Sequence, residues 1–450
     1  MKIMEFINEL KNKVESLQVT EFKSESIEIK VLNEKLKKSV FSDKISYEVK
    51  AKINGKYVKV NTEHLNPDLY EVLKQESEII ESNYKDNYIE NKKKLEFRAK
   101  SSNSQNIAEK IKTMIEFNQL RNTHTSISSI TSEYEWTHSE KRIVNTNGVD
   151  LLNTKENCAF YVSAVAKNKK DAVTYNDIAY TTTDEDIDMK QICQNVIENA
   201  ERFLVKEKIK TGTYNVILSS RFMSNLLENI MGIISYENVR KKLSLLEGKE
   251  HKKIANSIVN IVEDPRNENF PGYAYFDNEG TETYKKTIVK DGILQTFLYN
   301  NQEAELKKIE STGNGYGKIS ARNLYLIPGE KSEAELIKKL DNGLYITNYM
   351  SSGGVFLNNI DGKISAPIFG FIIKGGKITN AFETCIISTN IIDLLKNIKE
   401  IGNNLEFKTE ISGSPSVLVE NMSIASNWQK RSCITLFFWY NKKWVKKYGL

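Results

Sequence analysis

Cysteine is scarce in these 450 residues. The four that occur, Cys158, Cys193, Cys385 and Cys433, include no close pair. That excludes a disulfide framework and a zinc knuckle and fits a reduced compartment, with the thiols expected as buried fillers. Long apolar runs are missing as well: nowhere do 18 apolar residues follow one another, and the start carries Lys2, Glu5, Glu9 and Lys11 where a signal peptide needs an apolar core. A cytoplasmic chain with no membrane span is expected. Histidine is limited to His64, His124, His138 and His251. No two stand at the i, i+4 spacing that turns both imidazoles toward a zinc ion, and neither HExxH nor HExxxH occurs. This disfavours a zinc hydrolase of the usual kind, and each histidine is expected at the surface or in a hydrogen bond. No GxSxG elbow is present, and no cysteine sits in a nucleophile signature.

Glycine and proline are almost absent from the first half. Of 22 glycines only Gly55 and Gly148 precede residue 210, and five of the six prolines follow it. A helix-rich half is expected before a turn-rich half. Ile3, Phe6, Ile7, Leu10, Val14 and Leu17 recur at steps of three and four, an amphipathic helix. Ile27, Ile29 and Val31, and then Tyr47, Val49, Ala51 and Ile53, alternate with polar residues before the hairpin signal Asn54-Gly55. Asn66-Pro67-Asp68 opens a long charged helix expected through about Lys94. Further helices fit Ile107 to Ile115 and Met189 to Phe203, and strands fit Arg142 to Val144 and Ala159 to Val165. In the second half a strand, Tyr214 to Leu218, leads through Ser219 and Ser220 into a helix with Phe222, Leu226, Leu227 and Ile230 on one face. Short β runs follow, broken at Asp291-Gly292, Asn342-Gly343, Asp361-Gly362 and Gly375-Gly376, the spacing of an antiparallel sheet or barrel. A late helix is expected over Ile391 to Ile401, capped by Gly402. The whole reads as α+β: an N-terminal helix-and-sheet domain, residues 1–207, then a β-rich, mainly antiparallel domain, residues 208–427.

The net charge of +5 comes from the chain end. Residues 428–450 hold six cations and no acid, leaving 58 cations against 59 acids, a net of −1, elsewhere. Two readings fit this basic aromatic extension: a patch for an anionic membrane or nucleic acid, or a stretch unrelated to the fold, such as read-through. The second is preferred, because Cys433 to Tyr440 is too short to span a bilayer and lacks helical period. The stretch Ser311 to Ser320, STGNGYGKIS, looks like a phosphate loop but puts Thr312 and Ile319 where a Walker loop needs glycine and a hydroxyl residue. A loop beside a cleft and a plain connection both remain open. Acid pairs such as Glu263-Asp264 assign no acid-base chemistry among 59 acids.

Taken in order, Glu263-Asp264-Pro265, FDNEG (276–280), IVKDGIL (288–294), STGNGYG (311–317), IGNN (401–404) and PSVLVENMSIASN (415–427) resemble the TldD/PmbA family, also called modulator of DNA gyrase, and within it the TldE/PmbA branch. The likeness covers roughly residues 1–427 and is strongest beyond 210. It implies a cytoplasmic heterodimer that cleaves extended peptides, in which a TldD-like subunit carries zinc on an HExxxH helix and the TldE subunit does not. The matching helix here is Ser220 to Ile234, and the resemblance sets Glu228, Asn229 and Gly232 where the catalytic branch has His, Glu and His. Only Glu228 offers an oxygen, whereas a hydrolytic zinc keeps about three protein ligands. The catalytic branch also draws a cysteine from near its end, where Ser412-Gly413-Ser414 has none. Ser388-Thr389-Asn390 and Gly362-Lys363-Ile364-Ser365 depart from the family's strings as well. No catalytic or metal residue is therefore assigned, and no cofactor is expected in this chain; zinc is expected in the partner. The alternatives are a stand-alone binding or regulatory homodimer of the gyrase-modulator type and, less favoured, an independent peptidase. Nucleic-acid binding is disfavoured, because the body carries no net positive charge.

Overall fold

A computed structural model describes residues 1–80, 94–98, 106–349 and 357–426. The first half is built on α1 (Ile3–Leu10), β1 (Ser16–Leu32), β2 (Lys35–Ile53), β3 (Lys56–Thr62), α2 (Leu69–Ile79), β4 (Lys94–Phe97) and α3 (Ile107–Asn118). It continues with β5 (Ile127–Asn145), β6 (Asp150–Lys167), β7 (Ala172–Thr181) and α4 (Met189–Arg202). These strands form one seven-stranded sheet, ordered β3-β2-β1-β5-β6-β4 with β7 also on β6. All its pairings are antiparallel except β4 with β6.

Two helical layers cover one face of this sheet. The stripe Ile3, Phe6, Ile7 and Leu10 of α1 packs on Leu17, Val19, Val49 and Val58, while α3 and α4 bring Met114, Cys193 and Val196 onto Ile29, Val31, Phe160 and Val162. Asn54 and Gly55 turn β2 into β3 with φ of 52° and 77°, the left-handed pair such a hairpin requires. The alternation on β6 is regular: Cys158, Phe160, Val162 and Ala164 are buried, and Asn157, Ala159, Tyr161 and Ser163 between them are half-buried. That second, polar face turns toward the other half of the chain.

The expected helix-rich first half is corrected. Its strands are long, 17 to 19 residues in β1, β2, β5 and β6, and the lack of glycine and proline leaves these strands unbroken. The helix expected through Lys94 ends at Ile79, residues 81–93 lie outside the described residues, and Lys94 itself starts a strand. The extension 428–450 also lies outside them.

The second half runs β8 (Lys206–Glu207), β9 (Gly212–Leu218), α5 (Ser220–Ile234), α6 (Tyr236–Arg240), β10 (Ile261–Glu263), β11 (Lys286–Lys290), β12 (Ile293–Leu294) and α7 (Asn301–Lys307). Then come β13 (Gly315–Tyr316), β14 (Lys318–Ile319), β15 (Leu324–Leu326), α8 (Glu333–Leu340), β16 (Gly343–Tyr349), β17 (Lys363–Lys374), β18 (Lys377–Phe382) and β19 (Cys385–Asn390). The last elements are α9 (Ile391–Lys396), β20 (Ile398–Ile401), β21 (Glu406–Phe407), β22 (Ser412–Ser414) and β23 (Val417–Ala425). The expected helix to Ile401 is thus shorter, since its final residues pair with β23 as β20.

Five of these strands close on themselves. β16 pairs with β9, β9 with β23, β23 with β19, β19 with β17, and β17 again with β16. A six-stranded sheet, β12-β11-β10-β15-β22-β21, stands beside this ring. The core spans both: Val216 and Leu218, the α5 residues Phe222, Leu226, Leu227 and Ile230, and Leu324 and Leu326 belong to one buried cluster with Ile387 and Val419.

Candidate functional site

The helix α5 leaves the end of β9 through a built cap. Ser219 Oγ accepts the Phe222 N–H at 3.1 Å and donates to the Thr347 carbonyl at 2.5 Å, so the helix start is fixed to β16. Its apolar residues are buried on nearly every side, and the polar positions left are few. Glu228 is exposed. Asn229 Nδ2 donates to the Asn225 carbonyl at 2.7 Å and to Tyr349 Oη at 3.2 Å. A Cβ on Gly232 would stand 2.6 Å from Asn359 Nδ2.

The HExxxH spacing from Glu228 arrives at Ile233, not Gly232. Ile233 is 2% exposed and lies in the main core. At 3.6 residues per turn Glu228 and Ile233 sit about 140° apart around the helix, so Glu228 faces solvent and Ile233 the interior. Neither set of residues fits a zinc ion: the first offers one carboxylate, the second one carboxylate and a buried hydrocarbon. Among the described residues no three His, Cys, Asp or Glu side chains converge as metal ligands. His124 and His138 instead bond Glu201 and Glu156 at 2.8 and 3.3 Å. Ser412, where the resemblance looks for a cysteine, is fully buried and donates to the Ser224 carbonyl of α5 at 2.9 Å.

Three of the sequence strings, those holding Glu263, Asp277 and Asn314-Gly315, meet in buried hydrogen bonds. Glu263 accepts Lys286 Nζ at 2.7 Å, Asn314 Nδ2 at 2.8 Å and the Arg322 N–H at 2.8 Å. Asp277 accepts the Gly315, Glu279 and Thr281 N–H groups at 2.8, 2.9 and 2.9 Å. Burial raises the Asp277 carboxyl against those bonds, and burial lowers the facing Lys141 ammonium. A Cβ on Gly315 would stand 2.2 Å from the Glu279 carboxyl carbon, so any larger residue would displace that side chain. The glycine-rich stretch is therefore a hydrogen-bonded hairpin with Gly317 at its tip, φ 83°, and that tip carries Lys318 toward Glu228.

Around Glu228 the two halves of the chain meet. Lys155 Nζ and Asn157 Nδ2, on the polar face of β6, donate to Glu410 at 2.7 and 3.1 Å. Lys141 Nζ reaches the Asp277 carbonyl at 3.1 Å and Asn278 Oδ1 at 3.0 Å. The Arg221 guanidinium donates to the carbonyl and Oδ1 of Asn176, and Lys408 Nζ lies 3.0 Å from Asp177. Glu228, Glu135 of β5, Glu410 and Tyr180 of β7 lie close enough that their charges perturb one another. Desolvation raises Glu228, with Lys318 opposing and Glu410 adding. Desolvation, reinforced by Glu28, raises Glu135 too, and Tyr180 is raised by desolvation and by all three acids. Glu410 goes the other way: burial would raise it, and Lys155 outweighs that. The seam thus holds carboxyls that take up protons above the usual range beside one held ionised.

Reading the sequence alone missed Glu135, Tyr180, Arg221 and Glu410. The available signal was the polar side of the β6 alternation, which marks a face that is wetted or paired.

Comparison with known proteins matches two family descriptions: "PmbA/TldA metallopeptidase central domain" over residues 100–204 and "PmbA/TldA metallopeptidase C-terminal domain" over residues 211–426. A protein named metalloprotease PmbA homolog from Buchnera aphidicola is 29% identical over 317 residues, 66% of this chain and 70% of that protein. The metalloprotease PmbA of Escherichia coli O157:H7 is 28% identical, over 49% of this chain and 48% of its own. Among solved structures, a candidate modulator of a DNA gyrase from Thermotoga maritima matches with a TM-score of 0.85 at 28% identity, covering 94% of this chain and 100% of that one. TldE from Thermococcus kodakarensis shares the fold, with a TM-score of 0.80 at 17% identity over 94% of this chain and 99% of its own.

Proposed function

This chain belongs to the PmbA/TldD metallopeptidase family, and from that premise we propose that it is the non-catalytic, TldE/PmbA-like subunit of a cytoplasmic zinc peptidase complex that acts on extended peptides. The observation that carries the reading is α5: Glu228 is exposed, Ile233 is buried in the core, and nothing on the helix can complete a zinc site with them. Catalysis then rests with an HExxxH-bearing partner, and this chain supplies the surface that positions the peptide and keeps water away from it. The division into units at residues 207 and 427 belongs to the same proposal. No helix among the described residues is long and apolar enough to cross a membrane.

A second reading, a homodimeric binding or regulatory protein, draws on the gyrase-modulator description of the Thermotoga relative. One experiment separates the two: metal analysis and native mass of this chain alone and co-expressed with an HExxxH-bearing paralogue. Zinc and peptidase activity that appear only in a one-to-one complex are expected. Tight zinc in the isolated chain, or a homodimer that ignores the paralogue, would overturn the proposal.

A further inference from the structure

Between β7, the end of α4 and the ring of strands lies a cavity of about 310 Å³. Its size stands at the lower end for ligand pockets, room for one bulky group and not for a large cofactor. Tyr175, Phe203, Phe369 and Phe382 form its wall. Phe203 is the pivot of this cluster, its ring 5.6 Å from Tyr175 in a stack and 5.8 Å from Phe369 edge to face. Burial lifts the Tyr175 phenol so far that it stays a neutral donor.

The polar part of the lining is one-sided. It includes Arg221 and Lys206 and no Asp or Glu. Arg221 gives two hydrogen bonds to Asn176, which leaves three of a guanidinium's five N–H groups without a hydrogen-bond acceptor among the described residues. Asp177, outside the lining, is 3.9 Å from Arg221, but it is closer to Lys408 at 3.0 Å. The Lys206 ammonium forms no ion pair among the described residues. Five aromatic rings, counting Tyr349, thus stand beside two cations whose charge the pocket itself does not cancel.

We propose that this cavity binds a molecule that joins an aromatic or bulky apolar group to a carboxylate, the chemistry of the free carboxyl-terminal residue of a peptide and of small N-acylated amino acids. The ring enters the aromatic wall, and the carboxylate is taken by the N–H groups of Arg221 that Asn176 leaves free, with Lys206 at the mouth. The assignment goes beyond the supporting-subunit reading and does not need it, since the site lies wholly within this chain.

Calorimetric titration of the full chain, without a partner, tests it with N-acetyl-phenylalanine, its carboxamide, N-acetyl-glycine and the peptide Ala-Ala-Ala-Phe. The acid should bind about tenfold or more tighter than the carboxamide, and N-acetyl-glycine should bind weakest. Lys206→Gln, at an exposed position, should weaken the acid several-fold and leave the carboxamide unchanged. Phe369→Ala should weaken both, with the melting temperature confirming that each variant is folded. Tighter binding of the tetrapeptide than of N-acetyl-phenylalanine identifies a peptide end as the ligand, and equal binding a small acid. If acid and carboxamide bind alike, if Lys206→Gln changes nothing, or if no probe binds at about 10 mM, the proposal is wrong.

Discussion

Glu410 shows what a single side chain contributes at the seam. It belongs to the second half of the chain and accepts hydrogen bonds from Lys155 and Asn157 of the first. The two partners shift in ways that must be weighed: burial lowers Lys155 against the pull of Glu410, while Lys155 lowers Glu410 against burial. The 2.7 Å contact with a second donor beside it favours the ionised carboxylate. A depressed acid contributes stability that is present above its unfolded value, about 4.3, and is lost as pH falls through its lower folded value. Glu410→Gln should therefore lower the melting temperature near neutral pH by a small amount, its side chain being 52% exposed. That deficit should begin to shrink below about pH 4.3 and vanish only below the lowered folded value, as melting curves of both proteins across pH would reveal. Little of this was legible in the sequence. Glu410 was one acid among 59, and only the pairing of β5, β6 and β7 beside α5 brings it near Glu135, Tyr180 and Glu228. Glu263 is similar: its motif was visible, but its role as the buried hub of three hydrogen bonds needed Asn314, Lys286 and Arg322 in place.

Single elements were easier to read than their partners in space. The stripes of α1 and of Met189 to Phe203, the strand before Ser219 and the turn at Asn54-Gly55 all follow local periodicity and backbone preference, which do not depend on the rest of the fold. The long strands of the first half were misjudged, because alternation interrupted by charged residues on an inward polar face weakens the period-two signal. On α5 the periodicity was plain, yet which residue faces solvent was not. That geometry gives a test at this scale: a variant carrying Glu228→His, Asn229→Glu and Ile233→His writes the zinc motif into the helix. It should fail to hold stoichiometric zinc and should lose about 1–3 kcal/mol of stability, since an unpartnered imidazole replaces a core isoleucine. Denaturant unfolding and metal analysis check both parts, and stoichiometric zinc in a fully stable variant would contradict the facing assigned to the helix.

At the scale of the molecule, the two halves meet through polar contacts and two small apolar clusters, one of Ile143, Val149, Leu151 and Phe276 and one of Phe203, Phe371 and Ala381. Interfaces of this composition are held by a few well-placed groups. Lys141, which donates to the Asp277 carbonyl and to Asn278 and lies 4.7 Å from the Phe276 ring centre, is the clearest. Lys141→Ala should raise amide exchange across residues 276–281 at least several-fold while leaving the cores of both halves protected. Exchange measured by mass spectrometry decides this, and unchanged protection would show that the seam does not rely on that contact. The family strings foretold that the second half resembles known proteins; they contained nothing about the polar face of the first half that closes over it.

The closed ring also has a consequence in time. β9, with Val216, Ile217 and Leu218 all fully buried, is flanked on one side by β16 and on the other by β23, the last strand described. During synthesis at about 5–20 residues per second, roughly 10–40 s pass between the emergence of β9 and of β23. Throughout that interval an apolar strand waits with an open edge, a template for any neighbouring chain. The ribosome-bound intermediate, more than the finished protein, is therefore where this fold is exposed to aggregation and where a chaperone would find most to hold.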